Sequence, residues 1–161
     1  MYQVQLTESY FPAQTDQEIR DITIGDALAE AVRDHGYRPA LAEIRIDGST
    51  GRRWTYAEMA ADSKRLALAL ASRFEKGERV VVWAPNIPEW ALMEYACALS
   101  GVVLVTANPA FQASELRYVI EQSQASALFL VNEYRGNPMG EIGAEAVDGL
   151  DHHKELVSCM S

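Results

Sequence analysis

Residues 79–131 decide the fold. They read Arg79-Val80-Val81-Val82-Trp83-Ala84, then Pro85-Asn86-Ile87-Pro88 and an apolar stretch from Glu89 to Ser100. Gly101 follows, then Val102-Val103-Leu104-Val105-Thr106, Asn108-Pro109, a polar-faced stretch from Ser114 and finally Ala127-Leu128-Phe129-Leu130-Val131. The three aliphatic runs lack polar alternation, the pattern of strands buried on both faces. Between them, Pro88 suits the first position of a helix and Gly101 its end. Trp90, Leu92, Met93, Tyr95, Ala96 and Leu99 leave the first helix apolar almost all round, so it is expected to be covered on several sides. Ser114 is expected to cap the second helix, with Leu116, Val119, Ile120 and Ser123 on one face. Strand–helix–strand–helix–strand with crossovers of this length implies right-handed connections and a parallel sheet with helices on its faces, an α/β class.

Upstream, Thr23 reads as the N-cap of a helix carrying Ala27, Leu28, Ala31 and Val32, and Gly36 as its left-handed stop. Residues 40–46 and 52–55 read as two strands of a β-hairpin around Asp47-Gly48-Ser49-Thr50-Gly51. That glycine-containing turn has no lysine and no helix directly after it, so a phosphate loop is the poorer reading. Thr55-Tyr56-Ala57-Glu58 is a capping box. It opens a helix with Met59, Ser63, Leu66, Leu70 and Phe74 on one face, ended by Lys76-Gly77-Glu78. Downstream the signal weakens. Residues 134–138 read as a loop, 139–147 as a helix, and 155–159 as a strand or a helix end. The expected organisation is an extended segment over 1–22, a partial subdomain over 23–147 and a poorly specified tail over 148–161.

The chain has 161 residues, 48% of them hydrophobic, which suits one packed core. The 14 Lys and Arg are outnumbered by 23 Asp and Glu, for a net charge of -9. An anionic surface of this kind argues against generic nucleic-acid binding. The apolar stretch 90–105 is broken by Glu94, Ser100 and Gly101, so no membrane span is expected. Residues 1–21 carry four acids and no apolar run of the signal type, and the expected compartment is the cytoplasm.

Few residues offer chemistry. Cys97 and Cys159 lie in apolar company without a CxxC spacing, and Cys97 reads as a core residue. The pair His152-His153 lacks further ligands at metal spacing, and His35 fits a helix C-terminus. Glu89 suits the positive start of its helix. Ligands of a doubly wound sheet bind at the carboxyl ends of its strands. The segments there are Pro85-Asn86-Ile87-Pro88, Ala107-Asn108-Pro109-Ala110 and Asn132-Glu133-Tyr134-Arg135, none of them a glycine-rich turn. Gly136, Gly140 and Gly143 do not have the spacing of GxGxxG. No catalytic, cofactor-binding or metal-binding residue is assigned.

The order of segments resembles the N-terminal portion of the adenylate-forming acyl-CoA synthetases, the AMP-dependent ligases related to luciferase. Four stretches carry the likeness. They are Arg53-Trp54-Thr55-Tyr56-Ala57-Glu58; Gly77 through Trp90; Gly101 through Pro109; and Ser114-Glu115-Leu116-Arg117-Tyr118-Val119. The loop from Tyr134 to Met139 resembles the fatty-acyl-CoA ligase branch. The resemblance implies a parent that activates a carboxylate as its acyl-adenylate and passes the acyl group to coenzyme A, with ATP, Mg²⁺ and CoA as cofactors. It also implies a serine/threonine/glycine-rich phosphate loop, a Tyr-Gly-x-Thr-Glu segment, a Thr-Gly-Asp segment and a mobile-domain lysine. None of these is in the sequence, and Lys64, Lys76 and Lys154 match none of the family positions. The expectation is a structural fragment, inactive and binding no cofactor alone, that partners the missing remainder of the ligase and self-associates through an exposed apolar edge. The alternative is a non-catalytic binding or regulatory module that borrows the same fold.

Overall fold

In a computed structural model of the chain, residues 15–16, 19–45, 47–150 and 155–158 are described. The elements in chain order are α1 (Ile24–His35), β1 (Pro39–Ile44), β2 (Thr50–Thr55), α2 (Tyr56–Ala71), β3 (Arg79–Trp83), α3 (Pro88–Ser100), β4 (Val103–Thr106), α4 (Ala113–Ser123), β5 (Ala127–Leu130), α5 (Met139–Val147) and β6 (Glu155–Ser158). Most of the expected 1–22 segment, the His152-His153 pair, Lys154 and Cys159 lie outside the described residues.

The three aliphatic runs and β6 form one parallel sheet in the order β4-β3-β5-β6. The chain leaves β3 for β4 on one side and returns past β3 to β5 on the other. Right-handed crossovers then put α3 on one face of the sheet and α4 and α5 on the opposite face. In keeping with this, α3 packs on α2 and α1, whereas α4 packs on α5. Val80, Val81, Val82 and Trp83 of β3 have no solvent exposure, and all four residues of β5 are buried. This is the pattern expected for strands with a neighbour on each edge and a helix on each face.

The same reading fails for β4. Its run is as aliphatic as that of β3, yet Val103 is 46% exposed and no residue from 103 to 106 is buried. β4 is an outer strand of the sheet, and among the described residues β3 is its sole neighbour. Coverage of α3 is also one-sided. Met93, Ala96 and Cys97 are buried, while Ala98 and Leu99 are exposed.

The local signals of the first half mostly hold. Thr23 and Thr55 both close capping boxes, with Asp26 and Glu58 reaching back. Each satisfies helix-start amides that have no partner inside the helix. Three expectations about helix ends need correction. Gly36 has φ -50°, not a left-handed value. Glycine suits it through close approach, since a Cβ there would lie 2.6 Å from the Val32 carbonyl oxygen. The cap of α4 is Gln112 and not Ser114; its N–H donates to the Glu115 carboxylate at 3.0 Å. α2 ends at Ala71, earlier than the Lys76-Gly77-Glu78 stop, although Phe74 remains buried and meets Phe129 edge-on. Gly101 does end α3 in the left-handed conformation, at φ 76°.

β1 and β2 form a separate antiparallel hairpin that rests on α2. Asp47, Gly48 and Ser49 lie in its turn, whereas Thr50 and Gly51 already belong to β2, so this is not a phosphate loop. Ser49 N–H donates to Asp47 Oδ1 at 2.9 Å, and Gly48 takes φ 81°. β6 resolves the ambiguity at 155–158 in favour of a strand.

Candidate functional site

In a doubly wound sheet, the strand carboxyl ends part where consecutive connections leave in opposite directions. Here that point lies between β3 and β5. A cleft of about 620 Å³ opens there. Its floor is Pro85, Asn86 and Ile87 after β3, and Val131, Asn132 and Glu133 after β5. Pro109, Tyr134, Arg52 and Glu89 complete the walls.

Each wall is held by identifiable bonds. Trp83, buried at the end of β3, donates its Nε1–H to the Asn108 carbonyl at 2.8 Å. That ties the loop after β4 to the central strand. Asn108 Oδ1 accepts from Ala110 N–H at 3.0 Å, which tightens the turn around Pro109. After β5, Gly140 N–H donates to the Asn132 carbonyl at 3.0 Å. Tyr134 and Asn137 exchange backbone hydrogen bonds at 3.1 and 2.9 Å across Arg135 and Gly136, both at positive φ. This is the two-residue turn whose twist matches a hairpin. The Arg135 guanidinium lies 5.2 Å from the Tyr134 ring centre.

Arg52 is the cation of the cleft, and it is already engaged. Its guanidinium bonds Glu89 in the first turn of α3 and Glu43 of β1, the latter at 3.3 Å from Nε. Its backbone N–H also donates to Glu43 at 3.0 Å. The bonds to Glu89 and Glu43 push its pKa still higher. The Arg52 backbone and side-chain bonds hold Glu43 below the usual carboxylate range. The guanidinium also sits 5.4 Å from the Trp54 ring centre, and Trp54 Nε1–H donates to Asp62 at 2.9 Å. The reading of Glu89 as a helix-start acid holds as far as it goes, but sequence reasoning missed its partner, 37 residues away.

This donor set does not fit a triphosphate. The one guanidinium is shared by two carboxylates, Glu133 adds another acid, and Pro88 removes an N–H from the start of α3. Lys64 and Lys76 line neither this cleft nor the groove beside β1. Among the described residues no three His, Cys, Asp or Glu side chains come together as a metal site. Cys97 is buried in α3, and burial pushes its thiol up to about 12, so it is core and not a nucleophile. His35 is exposed in the last turn of α1.

A larger groove of about 780 Å³ runs beside β1 and shares Asn86 and Ile87 with the cleft. Its acids Glu43 and Asp47 are committed to Arg52 and Ser49, and among the described residues it meets the strand ends only at Asn86, Ile87 and Pro88 after β3, not between two strands. The smaller cleft is therefore the candidate site. No helix among the described residues is long and apolar enough to cross a membrane.

Comparison with known proteins gives one consistent result. The family described as AMP-binding enzyme matches residues 28–161. A putative acyl-CoA synthetase, YngI of Bacillus subtilis, is 38% identical over 138 residues, covering 85% of this chain and 24% of that protein. The mitochondrial medium-chain acyl-CoA ligase ACSF2 of Danio rerio is 30% identical over 131 residues, covering 81% and 21%. Among solved structures, a putative long-chain-fatty-acid CoA ligase from Rhodopseudomonas palustris superposes with a TM-score of 0.71 at 25% identity, covering 86% of this chain and 33% of that one. Apo MbtA of Mycobacterium smegmatis gives 0.74 at 25% identity, covering 88% and 25%. The chain thus spans between a fifth and a quarter of the curated relatives described here.

Proposed function

The chain belongs to the AMP-binding enzyme family, and from that premise we propose that it is the N-terminal structural portion of an AMP-forming acid–CoA ligase. In the whole ligase a carboxylate oxygen attacks the α-phosphate of ATP, pyrophosphate leaves, and the thiol of coenzyme A then displaces AMP from the acyl carbon. The observation that carries the assignment of roles is the cleft between β3 and β5. It stands where a doubly wound sheet takes its ligand, yet its single guanidinium is shared by Glu43 and Glu89. Transition-state charge in phosphoryl transfer needs free cations, amides and a metal aimed at it. We assign those groups, with ATP, Mg²⁺ and CoA, to polypeptide outside these residues. The role left to this chain is a preformed wall: Trp83 and Asn108 fix one loop, the Tyr134–Asn137 turn a second, and Arg52 with Glu89 holds the hairpin against α3.

Alone, the chain is inactive, and it self-associates through an apolar edge. The test is incubation with ATP, Mg²⁺ and a panel of fatty and aromatic acids, followed by pyrophosphate release. The expected result is none from this chain, and acid-dependent release from a longer chain that continues past Ser161. Release from the 161-residue chain alone would overturn the assignment of roles. A longer chain without activity on any acid would overturn the ligase reading.

A further inference from the structure

Among the outer strands, β1 and β4 differ sharply as edges open to a partner strand. β1 begins with a proline, carries Glu43, and pairs with β2 through two register irregularities. Proline, charge and irregular pairing are the devices that keep an edge strand from recruiting another. β4 has none of them. It reads Val103-Leu104-Val105-Thr106, pairs with β3 in unbroken register, and is as long as the interior strand β5. Its Val103 stands 46% exposed.

The hydrogen-bond phase of this edge is also defined. Val103 N–H donates to the Glu78 carbonyl at 2.7 Å, and Ala107 N–H to the Val82 carbonyl at 3.1 Å. Odd-numbered amides therefore face β3. The N–H and C=O groups of Leu104 and Thr106 face the open side, because successive residues of a strand alternate.

We infer that β4 pairs antiparallel with β4 of a second copy, about a twofold axis through Leu104, to give one continuous eight-stranded sheet. A twofold axis normal to the sheet keeps each face on its own side, so paired residues must share a face. Centring on Leu104 meets that condition, placing Leu104 against its twin and Val103 against Val105 of the second copy. The outward groups of Leu104 bond those of its twin in two new backbone hydrogen bonds, and Thr106 lies opposite Val102 of the second copy. No charge stands on this strand. In a chain of net charge -9, two copies therefore meet here without opposing like charges. A second copy is favoured over an unrelated apolar strand because the match of outward groups and side chains is self-complementary.

The inference deepens the self-association proposed above and rests on the same view of the chain as an incomplete sheet. Its test needs neither ATP nor acid, so it fails or stands apart from the ligase reading. By sedimentation velocity across a concentration series, the chain is expected to form a dimer with a dissociation constant on the order of 10–100 μM, weak because one strand pair makes a small interface. Val103→Lys, at a side chain already half in solvent, is expected to weaken it at least about tenfold. Ile44→Lys on β1 is expected to leave it unchanged. Amide exchange at Leu104 and Thr106 is expected to slow as concentration rises, a reading on the unmutated protein that does not depend on how a variant folds. A monomer across the whole range, a dimer indifferent to Val103→Lys, one lost through Ile44→Lys, or concentration-independent exchange at Leu104 would each overturn it.

Discussion

Arg52 and Glu89 form an ion pair across 37 residues of chain, fastening the hairpin to the first turn of α3 at the rim of the cleft. A two-stranded hairpin is marginal on its own, so its position depends on such fastenings and on α2 beneath it. The pair is half exposed on the arginine side, where isolated ion pairs contribute about 0–1 kcal/mol. Arg52 also serves Glu43 and lies against Trp54. The expected cost of Arg52→Ala is therefore near the upper end, about 1 kcal/mol, and it should shrink in high salt. A double-mutant cycle with Glu89→Gln, followed by urea unfolding, reads the coupling. A coupling of zero at low salt would show that the hairpin is held by other contacts.

Trp83 is the one indole with no solvent exposure, and its Nε1–H is spent on the Asn108 carbonyl. Trp83→Phe removes part of a packed ring and one of the two hydrogen bonds at that carbonyl, which keeps the Phe111 N–H at 3.0 Å. Both effects are destabilising, together by about 2 kcal/mol. The loop after β4 should loosen with it, seen as faster amide exchange at Ala110. Unchanged exchange there would mean that Asn108-Pro109 is positioned from the Phe111 side instead.

The pH dependence has a defined sign at both ends. Asp26, Glu43, Asp47 and Glu58 all titrate below the usual carboxylate range. The Thr23 side chain, the Arg52 backbone amide, the Ser49 side chain and the Thr55 backbone amide, respectively, are the leading causes. A depressed folded-state pKa means that the unfolded chain binds more protons. The stability these groups lend is complete above their unfolded values near pH 4 and is lost as pH falls through the folded ones. Cys97 behaves oppositely. Its thiol is pushed up to about 12, so its contribution is complete below the free-thiol value of about 8.5 and drains as pH rises from there towards 12. Urea midpoints should fall on both sides of a neutral plateau. In a Cys159→Ser background, a thiol reagent should label Cys97 only in denaturant; rapid native labelling would contradict its burial.

How much of this was readable in the sequence depends on whether the cause was local. The Thr23 and Thr55 caps, the Gly101 stop and the existence of a hairpin turn are decided within a few residues and read correctly, although the turn ends at Ser49 and Thr50-Gly51 open β2. β3 and β5 were visible because two-sided burial demands a run without polar interruption. β4 has an equivalent run, but its place at the outside of the sheet depends on the return of the chain past β3, which no property of residues 102–106 records. The α4 cap was misplaced because Ser114 is the better capping residue by type, whereas Gln112 stands three residues before Glu115 and accepts the box geometry. The site divides the same way. The strand-end rule pointed to Pro85-Asn86, Asn108-Pro109 and Asn132-Glu133, and all but Asn108 line the cleft, while Arg52 reached it through tertiary packing alone.

The central claim is that these residues build a wall and do not hold the nucleotide. Isothermal titration of the 161-residue chain with ATP and Mg²⁺ tests it most directly. The account predicts no saturable heat up to millimolar nucleotide, on the order of the weakest site that a phosphate-binding cleft would present. Saturable one-to-one binding, abolished by Arg52→Ala or Asn132→Ala in the cleft, would contradict it.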